Sequence, residues 1–200
     1  KEYLNENLVF LDGGMGTMLQ LHGMQSGELS EMWNLTHPDI ITSVHKAYYE
    51  AGSNVVSTNT FGANGLKFDE TELEAIVAAA IANARAAAEQ SSGTQPKFVA
   101  LDIGPTGRLL KPAGDLDFDE AFGAFSEMVR AGAAAGADLV FVETMGDARE
   151  LKAAVLAARE NSTLPVWVTM TFEAGGRTFV GTTVSAMGLT LSGLGVDAMG

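Results

Sequence analysis

Short apolar runs recur along the chain and are separated by longer stretches in which apolar residues return every three to four positions. The short runs predict strands at residues 8–11, 54–58, 98–102, 139–143, 165–172 and 196–200. The longer stretches, among them residues 73–84, 118–132 and 151–158, predict amphipathic helices. This alternation is typical of βα units whose strands form a parallel sheet.

Helix-boundary residues support this reading. Pro38 predicts the first turn of a helix that runs to Glu50, because proline lacks the N–H group that such a position leaves unpaired. Asp117 followed by Glu120 predicts a capping box. A glycine that can adopt the left-handed conformation is expected to end a helix before the next strand at three places: Gly52, Gly136 and Gly195.

Both an open doubly wound sheet and a (β/α)8 TIM barrel fit this alternation. No G-x-G-x-x-G motif follows the first strand, which speaks against a dinucleotide-binding sheet. Polar residues also recur at strand ends, as in barrel active sites: Asp12, Asn59, Asp102, Glu143 and Thr171. We therefore expect one domain over residues 1–200, an α/β (β/α)8 TIM-barrel fold that is incomplete, with about six β/α units.

Composition excludes several classes of function. The 25 acidic and 12 basic residues give a net charge of −13 with no basic cluster, so a nucleic-acid partner is not expected. The longest apolar stretch, residues 75–82, is too short to span a bilayer. The first seven residues lack the apolar core of a signal peptide, and we expect a cytoplasmic protein.

Metal-ligand residues are scarce. The chain has no cysteine, which excludes disulfides and thiolate metal sites within it. His22, His37 and His45 lack the spacing of a metal cluster. We expect His37 beside a helix cap and His45 partly exposed on its helix. No metal site is predicted in these residues.

Four polar motifs follow predicted strands, and each is open to two interpretations. Asp12, Gly13, Gly14 and Met15 form a loop whose exposed N–H groups either cradle an anion or only make a tight turn. Thr58 and Asn59 either contact a polar ligand or satisfy loop backbone groups. Asp102 is either a site residue or an acid that caps the following loop, residues 103–107.

Glu143 gives the sharpest single signal, because an apolar strand delivers a carboxylate to its own end. Burial of that carboxylate is unfavourable unless it meets a cation or hydrogen-bond donors. The cation is either the ammonium group of a substrate or a structural partner such as Arg108 or Arg149.

Taken in order, these motifs resemble the homocysteine S-methyltransferase family. The resemblance comprises a D-G-G-x-G-T opening at 12–17, T-N-T-F-x-A at 58–63, G-P-T-G at 104–107 and E-T at 143–144, and it extends over essentially all 200 residues. Residues 103–107 and 170–183 are most similar to the branch of cobalamin-dependent methionine synthases.

The resemblance implies a barrel that binds homocysteine and transfers a methyl group to its zinc-activated thiolate, which makes methionine. It implies that Asp12 and Glu143 face the amino end of homocysteine and that the N–H groups of Gly13, Gly14 and Met15 bind its carboxylate. Thr58, Asn59 and Asp102 complete the expected substrate-binding set. The methyl group is expected from methylcobalamin recharged by methyltetrahydrofolate, each bound by other domains of a longer parent protein.

The family places zinc on three cysteines, and the resemblance implies that these ligands lie beyond Gly200. We therefore expect no catalytic residue, no zinc and no cobalamin on these 200 residues alone, no activity of the isolated chain, and self-association through unpaired strand edges. Two alternatives remain open: a stand-alone homocysteine methyltransferase that uses betaine or S-methylmethionine, and an inactive ligand-binding or structural fragment.

Overall fold

The computed structural model describes Tyr3 and residues 6–200. From residue 38 onward helices and strands alternate along the chain, and a 3-10 turn, Ser30–Met32, precedes the second helix. The helices are α1 Met15–Leu21, α2 Trp33–Thr36, α3 Pro38–Glu50, α4 Glu70–Gln90, α5 Phe118–Ala135, α6 Ala148–Asn161 and α7 Val184–Gly193. The strands are β1 Val55–Ser57, β2 Phe98–Ile103, β3 Leu139–Met145, β4 Val166–Met170 and β5 Ala198–Met199.

The five strands form one parallel sheet in the order β1-β2-β3-β4-β5. Each strand pairs with the next one along the chain, whereas a doubly wound sheet reverses its order at a switch point. Consecutive parallel pairing is the arrangement of a barrel wall. The sequence-based expectation of a TIM-barrel-like α/β fold, incomplete and with about six parallel segments, is confirmed.

The predicted strand at residues 8–11 is shorter than expected, because only Leu11 forms a bridge, parallel to Val55. The N–H groups of Asn54 and Val55 both donate to the carbonyl of Phe10, at 2.8 and 3.1 Å. The N–H of Phe10 donates instead to the side-chain oxygen of Asn54, at 3.0 Å. An asparagine side chain thus replaces part of the regular ladder, and the segment still lies beside β1 as a sixth parallel segment.

The two faces of the sheet carry separate apolar clusters. The larger cluster lies between the sheet and the helices, and it includes Leu101, Val140 and Val142 together with the predicted stripes of α4, α5 and α6. The smaller cluster lies on the other face, where Val55, Ala100, Leu139 and Phe141 pack with Trp167. One face of the sheet is therefore covered by helices, and the other forms the interior of the barrel wall.

Most predicted helix boundaries are observed. Pro38 begins α3, and the three junction glycines Gly52, Gly136 and Gly195 have φ angles of 107°, 91° and 67°. The prediction of a capping box at Asp117 was wrong. The Asp117 side chain makes no cap hydrogen bond, and its carboxylate pairs with Lys111 at 2.8 Å. Glu120 pairs with Arg108 instead, at 3.4 Å.

The prediction that His45 is partly exposed was also wrong. The side chain is fully buried on α3, and neither ring nitrogen has a hydrogen-bond partner within the described part of the chain. Burial lowers the pKa of His45 to about 4, so the ring is neutral at pH 7. His37 lies at the N-terminal cap of α3, as expected.

Within the described residues, no helix combines the length and the apolar character needed to cross a membrane. Large exposed apolar side chains lie at the two edges of the sheet, with Leu8 and Phe10 beside β1 and Met199 on β5. Edges of this kind are prone to pairing with another chain.

Candidate functional site

A cavity of about 430 Å³ opens at the carboxyl ends of the strands. Each of four strands places a residue on its wall at or near its carboxyl end: Ser57 from β1, Asp102 from β2, Glu143 from β3 and Thr169 from β4. The loop between Leu11 and α1 closes the side beside β1. Side chains from several strands thus meet in one place, as the parallel sheet requires.

All eight sequence-predicted site residues line this cavity: Asp12, Gly13, Gly14, Met15, Thr58, Asn59, Asp102 and Glu143. The set predicted from the sequence lacks several other residues that line the cavity, among them Ser30, Ser57, Phe61, Phe141 and Thr169. Thr171, the strand-end residue named from the sequence, lies past the end of β4 and lines a different cavity. The signal for Thr169 was its two-residue spacing from Trp167, which places both on the interior face.

Three carboxyl groups converge on the cavity. Burial raises the pKa of Asp12 to about 6, and the charge of Glu143 adds to the rise, while hydrogen bonds from Ser57 oppose it. Burial raises the pKa of Asp102 well above its usual range, and the charges of Glu143 and Asp12 together with a hydrogen bond to Glu143 act in the same direction. Asp12 and Asp102 therefore keep their protons up to a higher pH than isolated carboxyl groups do.

Asp102 is 4% exposed, and its Oδ1 atom has no hydrogen-bond partner within the described part of the chain. It does not cap the loop that follows β2, which was the alternative left open by the sequence. Glu150 on α6 takes that role, because its Oε1 atom accepts from the N–H and the hydroxyl of Thr106 at 2.7 and 2.6 Å. Asp102 is thus left with unused acceptor capacity at the cavity.

Neither arginine suggested as a structural partner contacts Glu143. Arg108 pairs with Asp115 and Glu120, and Arg149 donates to the carbonyl of Lys111. The hydroxyl of Thr144 donates to Oε2 of Glu143 at 3.2 Å. Among the described residues that line the cavity, none is a lysine or an arginine, so the acidic groups face no cation from this part of the chain.

The polar atoms of Thr58 and Asn59 are largely engaged in holding the cavity wall. Thr58 Oγ1 accepts from the N–H of Asp102 at 3.1 Å and shares a hydrogen bond with Thr60 Oγ1 at 2.8 Å. The side-chain amide of Asn59 donates to the carbonyl of Ser30 at 2.6 Å. These contacts agree with the alternative that both side chains satisfy loop backbone groups.

The glycine-rich loop lies close to Tyr48 of α3. A Cβ atom at Gly13 would come within 3.0 Å of the Tyr48 hydroxyl, and that hydroxyl donates to the carbonyl of Gly14 at 3.2 Å. Glycine at position 13 therefore allows the loop to pack against the helix. Gly13 and Gly14 are exposed, so a ligand in the cavity can reach their backbone.

A family model described as homocysteine S-methyltransferase matches residues 9–200. The chain belongs to the homocysteine S-methyltransferase family. It is also 31% identical to methionine synthases of Mycobacterium tuberculosis and Mycobacterium leprae, in matches that cover 100% of this chain. The chain spans only 18% of the length of those relatives.

Crystal structures of the homocysteine methyltransferase MmuM from Escherichia coli are similar to this member of the family. The apo form superposes with a TM-score of 0.80 at 26% identity, covering 98% of this chain and 73% of that one. The oxidized form superposes with a TM-score of 0.86 at 23% identity, covering 98% and 74%, and shows the same fold. The family resemblance drawn from the sequence is confirmed.

Zinc in this family, as the sequence resemblance implies, is held by cysteine thiolates, and one of the Escherichia coli structures is a metallated form. The present sequence contains no cysteine. Its described residues also contain no group of three or more histidine, aspartate or glutamate side chains that could hold a metal. The donor set of this chain therefore does not fit such a zinc site.

Proposed function

We propose that this chain binds homocysteine in the cavity and forms the homocysteine-binding part of a methyltransferase that makes methionine. The observation that carries the proposal is the convergence of Asp12, Asp102 and Glu143 on one cavity, whose described lining residues include no lysine or arginine. Grouping ionised acids on one partly buried wall is unfavourable unless they take up protons or a cation joins them. The ammonium group of an amino acid supplies that cation.

In this proposal the ammonium group donates hydrogen bonds to Glu143 and to Oδ1 of Asp102, the buried acceptor without a described partner. Its positive charge favours the ionised forms of the surrounding acids. The carboxylate of homocysteine accepts from the N–H groups of Gly13, Gly14 and Met15, as the family resemblance implies. Thr58 and Asn59 hold the wall against which the ligand packs.

The role we assign to these residues is binding and orientation of the amino acid. Zinc, where bound, would activate the thiol of homocysteine as a thiolate. The cysteine ligands of zinc are not in this sequence, so no step here depends on the metal. We infer that the methyl group comes from methylcobalamin recharged by methyltetrahydrofolate on other domains. The similarity to methionine synthases, of which the chain spans 18%, supports that inference.

Calorimetric titration of the chain with homocysteine tests the proposal. The comparison ligands are 4-sulfanylbutanoate, which lacks the amino group, and 3-aminopropane-1-thiol, which lacks the carboxylate. We expect homocysteine to bind, and loss of the amino group to weaken binding by about tenfold or more, as for a hydrogen bond to a charged group. Equal affinity for homocysteine and 4-sulfanylbutanoate would contradict the proposed ammonium contact.

A further inference from the structure

The end of β3 contains one residue more than the opposite stretch of β4. Val142 pairs with Val168 and Met145 pairs with Met170, so three steps along β3 match two along β4. An extra residue of this kind is a β-bulge, which ends regular pairing and changes the direction of the side chains that follow.

The bulge changes which face Met145 occupies. Phe141 belongs to the interior cluster and Val142 to the helix-facing cluster, so regular alternation carries Glu143 to the interior, where it lines the cavity. The same alternation would put Met145 there as well. Met145 is instead fully buried in the helix-facing cluster. The bulge therefore keeps an apolar side chain out of the cavity and leaves Glu143 as the last β3 side chain on it.

Thr144 occupies the extra position with a φ of 59°. A non-glycine residue in this left-handed region is uncommon, and such residues cluster at functional sites. The N–H of Thr144 donates to Thr169 Oγ1 on β4 at 3.2 Å, and its hydroxyl donates to Glu143 Oε2 at 3.2 Å. Thr144 thus connects the Glu143 carboxylate to the neighbouring strand.

We infer that Thr144 is a positioning residue for Glu143 and that Thr169 is its anchor; this inference rests on the proposed function. Within the described part of the chain, no cation partner of Glu143 lies on the cavity wall, so its carboxylate is restrained mainly by hydrogen bonds with Thr144 and Asp102. The Thr144 hydroxyl holds one carboxyl oxygen, and Thr169 holds the backbone that carries the hydroxyl. A carboxylate oriented before the ligand arrives binds an ammonium group with less loss of side-chain freedom.

The test compares the affinities of homocysteine and 4-sulfanylbutanoate for single variants of the chain. Thr144→Ala and Thr169→Val remove one hydrogen bond each, and we expect homocysteine binding to weaken about two- to tenfold, the usual range for one such bond. Binding of 4-sulfanylbutanoate should not change, because it has no ammonium group. Thr144→Ser keeps the hydroxyl and should restore affinity. Thr163→Ala, at an exposed loop position, is the matched control.

A variant that keeps the backbone conformation guards against misfolding. Glycine adopts positive φ without strain, so Thr144→Gly removes the hydroxyl and leaves the bulge intact. Thr144→Gly is expected to lose affinity for homocysteine to the same extent as Thr144→Ala. Unchanged homocysteine affinity in Thr144→Gly, or equal losses for both ligands, would overturn the inference.

The outcomes separate this inference from the function on which it rests. Homocysteine binding that weakens in Glu143→Gln but not in the Thr144 variants would leave the proposed function standing and overturn only the positioning role. Failure of the unsubstituted chain to bind homocysteine would overturn both.

Discussion

Ser57 donates two hydrogen bonds to the carboxylate of Asp12, from its N–H to Oδ2 at 2.8 Å and from its hydroxyl to Oδ1 at 3.2 Å. The contact joins the loop after Leu11 to the end of β1. It lowers the pKa of Asp12, but burial dominates and the pKa still rises to about 6. Asp12 therefore both holds the loop and responds to pH near neutrality.

This raised pKa predicts that Asp12 makes the free chain less stable as pH rises. The folded state binds more protons at Asp12 than the unfolded state between pH 3.8 and about 6. The contribution of Asp12 to the free energy of unfolding is thus fully present below pH 3.8. It is lost as pH rises through 6, by on the order of 3 kcal/mol. Asp12→Asn removes this loss, and we expect the variant to gain stability relative to the original chain between pH 4 and 7.

Urea denaturation at several pH values measures this difference. Asp119→Asn, an identical substitution at an exposed position on α5, is the control. If the stability difference between the chain and Asp12→Asn stays constant from pH 4 to 7, Asp12 does not have the raised pKa.

His45 predicts the opposite pH dependence. Its folded pKa of about 4 lies below the ordinary value of 6.5, so the unfolded state binds more protons between these values. The contribution of neutral His45 to the free energy of unfolding is lost as pH falls from 6.5 towards 4, by on the order of 3 kcal/mol. His45→Leu should remove this loss, so its stability relative to the original chain should increase as pH falls. His22→Leu, at an exposed position, is the control, and parallel pH curves for chain and His45→Leu would refute the prediction.

Glu143→Gln tests the ammonium contact directly. Loss of the charge should weaken homocysteine binding by about tenfold to a hundredfold, the range for a hydrogen bond to a charged group. In an active enzyme that contains this domain, the same change should raise the KM for homocysteine more than it disturbs the fold. Glu89→Gln, on an exposed part of α4, is the control. An unchanged KM with a lowered Tm would show that Glu143 is structural.

The sequence predicted the residues of the candidate site better than it predicted the strand at residues 8–11, which precedes the first of them. Asp102 and Glu143 follow apolar strands, and parallel strands bring their carboxyl ends to one edge, so their meeting followed from topology alone. The extent of the 8–11 strand did not follow, because the Asn54 side chain takes a backbone hydrogen bond that periodicity does not reveal.

The spacing of apolar residues in the sequence already predicts that His45 is buried, although histidine as a residue type favours partial exposure. Ile41, Val44, His45 and Tyr49 form the buried stripe of α3, with the spacing of a helix face. The bulge at Thr144 left no such signal, because it depends on the register between β3 and β4. Thr169 was missed for a related reason, since the predicted strand ran past Met170 and drew attention to Thr171.

Two glycines of α5 allow a matched test of packing. A Cβ atom at Gly132 would lie 2.5 Å from Leu101 Cδ2, whereas nothing lies within 4 Å of one at Gly123. Gly132→Ala should destabilise the chain by about 1–3 kcal/mol, because the fully buried side chain of Leu101 must shift to make room. Gly123→Ala should stabilise it by about 0.5–1 kcal/mol, because alanine favours the helix. Similar free energies of unfolding for the two variants would contradict this packing.

The lack of cysteine predicts how the chain behaves towards zinc. A thiolate zinc site needs cysteines, and this sequence has none. The remaining candidate ligands, Asp12, Asp102 and Glu143, face one cavity but do not form a group able to hold a metal within the described residues. Homocysteine would bring only one thiol. We therefore expect the chain alone to retain no stoichiometric zinc and to make no methionine from homocysteine and methylcobalamin.

Metal analysis after dialysis and a methyl-transfer assay check the two parts separately. Because the proposed binding of homocysteine depends on acidic side chains and not on a metal, we expect calorimetry to give the same affinity before and after treatment with a chelator. A longer chain that includes the family's cysteines is the positive control for zinc and for turnover. One tightly held zinc per chain, or methionine production that the chelator abolishes, would show that these 200 residues carry metal chemistry that their donor set does not explain.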